Sequence, residues 1–399
     1  MSSPPQTSTD SDQQPAATSA AKEQAIHAAA APVWVDQADA LQQAAARWQQ
    51  QQWLALDTEF IRERTFYAQL GLIQISDGIC VWLLDVPALC GHDDPIRDLL
   101  ANSQINKIIH SCSEDLEVLS QQYQVQPAAV FDSQLAAAMT GRPLQMRYEN
   151  LVQELLGVEL PSGPSRSNWL QRPLSAAQLQ YASNDVAYLP LLMRLLVAEL
   201  QQRQRWSWLQ QDMQALLDKA STAIDPDLLY RKVKGFMRCD QAKLSCLQQL
   251  AAWRDQQARS RDLPRSFVLR DSGMLELAEV AAGAGTDHAA LNTGLNRLGE
   301  IPQRIVQRHR QDWLTLFATR PEQPPALEAP LSQQEKARLA GMLEVIRASA
   351  KAEQVDPALL ASRRVMTEAL LELRQSAAPA VQLPGWRGEL LNAELAACC

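Results

Sequence analysis

With 399 residues, 46% of them hydrophobic and 21% charged, the chain has the composition of an ordinary globular protein and the length for two or three domains. No apolar run approaches the ~20 residues that cross a bilayer, and no basic segment leads into an apolar core at the start, so neither a membrane span nor a secretory signal is expected. A net charge of −8 argues on its face against a nucleic-acid binder, and seven scattered cysteines without a C-x-x-C read as reduced thiols of a cytoplasmic protein.

Residues 1–31, rich in Ser, Gln, Ala, Thr and Pro and poor in large apolar groups, are expected to be disordered. An ordered domain is expected over 33–215. A helical run from Gln37 to Gln52 leads to a buried strand, Trp53 to Leu56, that runs straight into Asp57 and Glu59. Residues i and i+2 of a strand share a face, so the two carboxylates project side by side. Like charges beside an apolar strand repel each other and resist desolvation unless a cation sits between them; oxygen donors of this kind suit magnesium or manganese. A lone D-x-E is also what a solvated strand end looks like, so the weight falls on further acids downstream.

Two apolar runs, Leu70 to Ile75 and Ile79 to Leu84, flank Asp77-Gly78, a hairpin signal that predicts antiparallel neighbours. A helix is predicted after Pro95, a strand over Lys107 to His110, and a further strand at Val130-Phe131-Asp132. This alternation predicts an α/β domain with a mixed sheet flanked by helices. Ser162 to Trp169 reads as a loop, and Ser175, with Gln178 three residues on, caps a single long helix whose apolar positions continue to Leu200.

Within His110 to Leu119, a strand gives way to a helix at Ser113, Glu114 and Asp115, where either acid could simply favour the helix dipole. Tyr181 and Asp185, four apart on the long helix, share a face, and Ala182, Ser183 and Ala187 are small enough to let that helix lie close to the sheet. From residue 216 the pattern is helical throughout: a linker over 216–238, a domain over 239–320, a Pro-rich linker over 321–330, and a second domain over 331–399. Ten Lys or Arg stand between Arg231 and Arg270 against only Asp240, Asp255 and Asp262, and a second basic helix carries Arg304, Arg308, His309 and Arg310. With Trp253 and Phe267 alongside, this region is expected to meet phosphates.

D-T-E-F (Asp57 to Phe60), H-x-x-S-E-D (His110 to Asp115) and Y-x-x-x-D (Tyr181 to Asp185) resemble the three motifs of the DEDD exonucleases, in their tyrosine-bearing branch. DTEFIRERTFYAQLGLIQIS and NWLQRPLSAAQLQYASNDVAYL resemble the ribonuclease D family. The downstream regions, with LLASRR and GWRGELL in the second, resemble two helicase-and-ribonuclease-D C-terminal (HRDC) domains in tandem. The resemblance covers residue 33 to the end. It implies a ribonuclease H-like 3′–5′ exonuclease domain followed by all-α HRDC domains. It further implies that Asp57, Glu59, Asp115 and Asp185 hold two divalent cations, Mg2+ or Mn2+, that clamp a phosphodiester. In that scheme Asp57 bridges the ions, Glu59 and Asp185 serve one and Asp115 the other, and Tyr181 orients the attacking water. His110 is assigned a structural hydrogen bond. Phe60 could stack on a terminal base or belong to the core, and Arg166 could touch a phosphate.

The expected partner is RNA, transfer RNA precursors with single-stranded 3′ ends, cut to 5′-mononucleotides by a monomer. The same acids would serve an enzyme acting on DNA. The loop departs from its relatives: Ser162 stands where a lysine is usual, and Asn168 where an aspartate is, which leaves fewer charges to grip a substrate backbone.

Overall fold

The computed structural model describes residues 14–163, 167–222, 225–319, 325, 329–375 and 380–398. They group into two compact units. One takes in the described residues up to Ile61, Leu70–Ser221 and those from Leu331 on; the other comprises Arg62–Gln69 and Thr222–Pro330.

Six strands, β1 (Val33–Val35), β2 (Trp53–Ile61), β3 (Gln69–Ser76), β4 (Val81–Asp85), β5 (Asn106–Ile109) and β6 (Val130–Asp132), form one sheet in the order β1-β4-β3-β2-β5-β6. β3 and β4 are antiparallel, with Ser76 opposite Val81, while β1–β4, β2–β5 and β5–β6 are parallel, so the sheet is mixed as the alternation predicts. The hairpin turns at Gly78, whose φ of +85° suits glycine, and Asp77 Oδ1 accepts the N–H groups of Ile79 and Cys80. β2 lies in the middle of the sheet. Leu54, Ala55 and Leu56 are buried, and only beyond them does the strand turn polar.

Around the sheet lie α1 (Gln14–Ala30), α2 (Ala38–Trp48), α3 (Asp94–Ala101), α4 (Ser113–Tyr123), α5 (Ser133–Met139), α6 (Tyr148–Leu156), α7 (Ala176–Ala187), α8 (Leu189–Gln202) and α9 (Trp206–Ser221). α2 shows why they pack: Leu41, Ala44, Ala45 and Trp48 follow helical spacing and are all buried.

Two expectations change. Residues 14–30, expected to be disordered, are helical, and Ala25, Ala28 and Ala29 are buried, with Gln180 Nε2 donating to Ala29 O at 3.3 Å. Alanine, which a count of large apolar residues passes over, is the best helix former and lets a helix approach closely. The predicted long helix is two, α7 and α8, because Pro190 stands at the start of α8 and its ring excludes a straight continuation from Val186. The capping box at Ser175 and Gln178 is present.

The second unit holds α10 (Gln241–Ser260), α11 (Arg265–Val268), α12 (Asp271–Ala284), α13 (His288–Leu295) and α14 (Gln303–Leu316) around its own core, with Leu247, Leu250, Trp253, Leu277, Trp313 and Phe317 inside. Its segment 62–69 is held by Phe66, which lies under the guanidinium groups of Arg259 and Arg265, each 4.8 Å from the ring centre. Much of the basic stripe is already engaged. Arg254 pairs with Asp271, Arg259 and Arg265 both bond Asp255 at 2.6 Å, and Lys243 meets Glu279. Trp253 is not a surface aromatic, because it packs edge-on to Trp313 and His309 inside the core, whereas Phe267 is 55% exposed.

In the first unit, α15 (Gln333–Glu353), α16 (Pro357–Leu360), α17 (Arg363–Gln375) and α18 (Gly385–Ala396) join the sheet-bearing part through α9. Trp386 stacks on Trp208 with ring centres 4.1 Å apart, its indole N–H donates to Asp212, and Arg387 bonds both oxygens of Asp212 at 2.6 and 2.8 Å. Arg205 donates to Met139 O and to Glu353. Most of the Pro-rich stretch 321–330 lies outside the described residues, as does Arg166. Among the described residues, no helix is long and apolar enough to cross a membrane.

Candidate active site

The polar half of β2 meets α7 at one point. Carboxylate oxygens of Asp57, Glu59 and Asp185 all lie within 4.8 Å of one another, so β2 and α7, far apart in sequence, supply one ligand set. Asp57 and Glu59 arrive there by strand alternation. Asp185 arrives because Ala182, Ser183, Val186 and Ala187 are fully buried and bring α7 down onto the sheet.

Asp115 comes from the first turn of α4 and is buried, whereas Glu114 beside it is exposed. Asp115 Oδ1 accepts the hydroxyl proton of Thr58, the residue between the two β2 acids, which turns to the other face of the strand. The approach to α4 is set by Asp132. Its carboxylate accepts the N–H groups of Ser111 and Cys112 at 3.1 and 2.9 Å, and also those of Gln134 and Leu135, which begin α5. Ser111, at φ 63°, makes the turn that this clasp holds.

The charge arrangement is unfavourable for bare carboxylates. Burial and then the neighbouring acids push Glu59 up to about 9, and burial is the main cause that lifts Asp185 to about 7 and Asp115 to about 6. Asp57 is held well above the carboxylate range by burial and by Asp115, Asp185 and Glu59. A hard divalent cation is the group that such a cluster of oxygens fits: it would bring the acids back to their ionised form and balance their repulsion.

Tyr181 stands one turn before Asp185 on α7, and its hydroxyl is hydrogen-bonded to Asp185. Burial, then Asp185, Glu59 and Asp57, push its acidity far out of reach of neutral pH, so it can orient a water but not take its proton as phenolate. His110 Nε2 donates to Met146 O at 3.0 Å and Nδ1 faces Ser133 Oγ at 2.9 Å, which gives it the structural bond expected of it. Phe60 is half-buried and by alternation shares the Thr58 face of β2, not the face of the acids. Asn168 Oδ1 accepts Leu170 N and so serves its own turn.

Several residues at the site were not singled out by sequence. Thr58, Asp132 and Gly163 were passed over, and so was Tyr148, whose hydroxyl donates to Asn184 O at 2.9 Å, next to Asp185. Their signal was only a position beside or between the motifs.

The sequence pattern of the 3′–5′ exonuclease family matches residues 32–201, and that of the HRDC domain matches residues 243–282. The ribonuclease D of Pseudomonas paraeruginosa is 35% identical over 371 residues, spanning 91% of this chain and 96% of the relative. That of Escherichia coli K12 is 32% identical over 352 residues, spanning 85% and 90%. The crystal structure of Escherichia coli RNase D, described as an exoribonuclease involved in structured RNA processing, superposes with a TM-score of 0.80 at 29% identity, covering 92% of this chain and 98% of that one. An acid-lined exonuclease sheet, an HRDC match and relatives that run nearly the whole length agree, and the chain belongs to the ribonuclease D family.

Proposed function

We propose that this chain trims the 3′ ends of transfer RNA precursors and related structured RNAs, as a cytoplasmic monomer, and releases 5′-mononucleotides with the help of two divalent ions, Mg2+ or Mn2+. The observation that carries the reading is the trio Asp57, Glu59 and Asp185 within 4.8 Å, whose ionised forms repel one another and are favoured when a cation lies between them. In this reading Asp57 serves both ions, Glu59 and Asp185 one of them, and Asp115 the other. The ions would supply charge to the scissile phosphodiester and acidity to a water.

The chain's own residues do the rest. Thr58 orients Asp115 by its hydroxyl proton, and Asp132 holds the turn that presents it. Tyr181 offers its hydroxyl to position the attacking water, the role its counterpart would have in the tyrosine-bearing branch that the motif resembles. Residues 331–399 act as a second HRDC-like domain, and basic side chains outside the ion pairs of the second unit, such as Lys232, Arg238 and Arg270, meet the RNA body.

The test is incubation with a 3′-extended transfer RNA precursor with and without EDTA, beside a DNA oligonucleotide of matched sequence. Mononucleotides are expected from the RNA in the metal-containing sample alone. Asp57→Asn should abolish them and leave RNA binding nearly unchanged. Cleavage that survives EDTA removes the metal site from the account, and faster cutting of DNA moves the substrate class.

A further inference from the structure

The catalytic acids are fixed by β2, α4 and α7, but the ring of Tyr181 needs its own support. Its hydroxyl is tied to Asp185, and Asp185 also belongs to the ligand trio, so the phenol and a cation would draw on one carboxylate and that bond is not independent of the loaded site. What holds the ring then must touch its body and not its tip.

Two neighbours do so. The indole of Trp169 lies with its centre 6.2 Å from that of Tyr181 at 35°, and Trp169 is buried. The backbone at Gly163 runs so close to the ring that a Cβ there would fall 1.7 Å from Tyr181 Cδ2 and 2.4 Å from Cγ. Trp169 is itself anchored on the sheet. Arg172 Nη1 donates to Trp169 O at 2.8 Å, Arg172 Nη2 to Gly71 O at 2.9 Å, and the same guanidinium bonds both oxygens of Asp85 at 2.7 Å. Gly71 of β3 admits this approach because a Cβ there would stand 2.4 Å from Trp169 O. An ion pair at the end of β4 thus fixes a loop backbone against β3, and that loop presents a flat aromatic wall to the phenol.

We propose that Trp169, seated by the Arg172–Asp85 pair and assisted by the bare backbone of Gly163, is a positioning residue that sets the ring plane of Tyr181 in the loaded site. The inference rests on the exonuclease reading above. It predicts that damage to this wall acts through Tyr181 and through nothing else in the site.

A double-mutant cycle on the full chain separates the possibilities, with single-turnover cleavage of a 3′-extended RNA and thermal unfolding both measured. Trp169→Ala is expected to lower kcat by about tenfold to a hundredfold, the scale of a misplaced reacting group, with KM within about twofold. In a Tyr181→Phe background the same change should cost less than about twofold, since the group it positions is gone. Gly163→Ala should show the same pattern, and it decides the matter alone if Trp169→Ala does not fold. Equal losses in both backgrounds, no loss in either, or a fully active Tyr181→Phe overturn the proposal. Absence of metal-dependent cleavage by the unaltered chain would instead overturn the exonuclease reading, so the two failures are distinguishable.

Discussion

The two helical regions after α9 are built on different plans. The second unit closes a core of its own, with Trp253 and Trp313 turned inward, and spends its arginines on its own acids, Asp255 and Asp271. The region from Leu331 on turns a tryptophan and an arginine outward instead. Trp386 and Arg387 meet Trp208 and Asp212 of α9, and Glu353 receives Arg205. A helical domain can thus be self-contained or can be completed by the body that it joins, and the placement of its large aromatic residues tells which.

The sharpest test exchanges those aromatics for alanine. Trp386→Ala should cost about 3–5 kcal/mol in the first unit, and hydrogen exchange should show α9 and α15–α18 losing protection together. Trp313→Ala should cost a similar amount, about 3–5 kcal/mol, with the loss confined to α10–α14. Protection lost throughout the chain in either variant would break the comparison.

A second difference lies in a buried charge. Lys107 in β5 is fully buried, donates to Asn102 O and Ile105 O, and burial depresses its pKa to about 7; among the described residues the second unit carries no lysine like it. The folded value lies below the unfolded one of about 10.4, so between these values the unfolded chain binds the extra proton, and the lysine's destabilising contribution fades as pH rises from about 7 towards 10. Unfolding of the parent and of Lys107→Met, compared from pH 6 to 10, should show the variant's advantage greatest at pH 6 and shrinking upward. Its size should be of the order of 1.4 kcal/mol for each unit of depression. A difference that is flat with pH would mean that the ammonium is solvated when charged. The difference between the two proteins is the quantity to read, because the acids of the active site titrate in the opposite sense in both.

The smallest contrast concerns ion pairs. Arg387→Ala removes a bidentate, partly buried contact to Asp212 and should cost about 1–3 kcal/mol, whereas Lys243→Ala removes a surface pair with Glu279 and should cost less than about 1 kcal/mol by denaturant titration. Equal losses would show that the joint at α9 is no tighter than a surface contact.

What the sequence made readable was what local geometry dictates. Alternation put Asp57 and Glu59 on one face, the Asp77-Gly78 turn set the β3–β4 hairpin, and Ser175 with Gln178 marked the start of α7. What it hid depends on contacts between distant residues. Thr58 and Asp115 are 57 positions apart. The ten basic residues of the stripe could be counted but not paired, and the pairs with Asp255, Asp271 and Glu279 remove several of them from any RNA surface. Alanine patterning misled at α1, where burial of small side chains carries no signal in a hydrophobicity count.

The clasp at Asp132 bears on how the sheet finds its pairing. β5 and β6 are only four and three residues long, too short for side-chain pattern alone to fix their alignment firmly. A slip of one residue would carry the aspartate about 3.3 Å along the sheet and turn it to the opposite side, stranding the amides at Ser111, Cys112, Gln134 and Leu135 together. One carboxylate therefore ties strand alignment to both helix starts: a misaligned β5–β6 pair would leave the turn before α4 and the first turn of α5 without their shared acceptor.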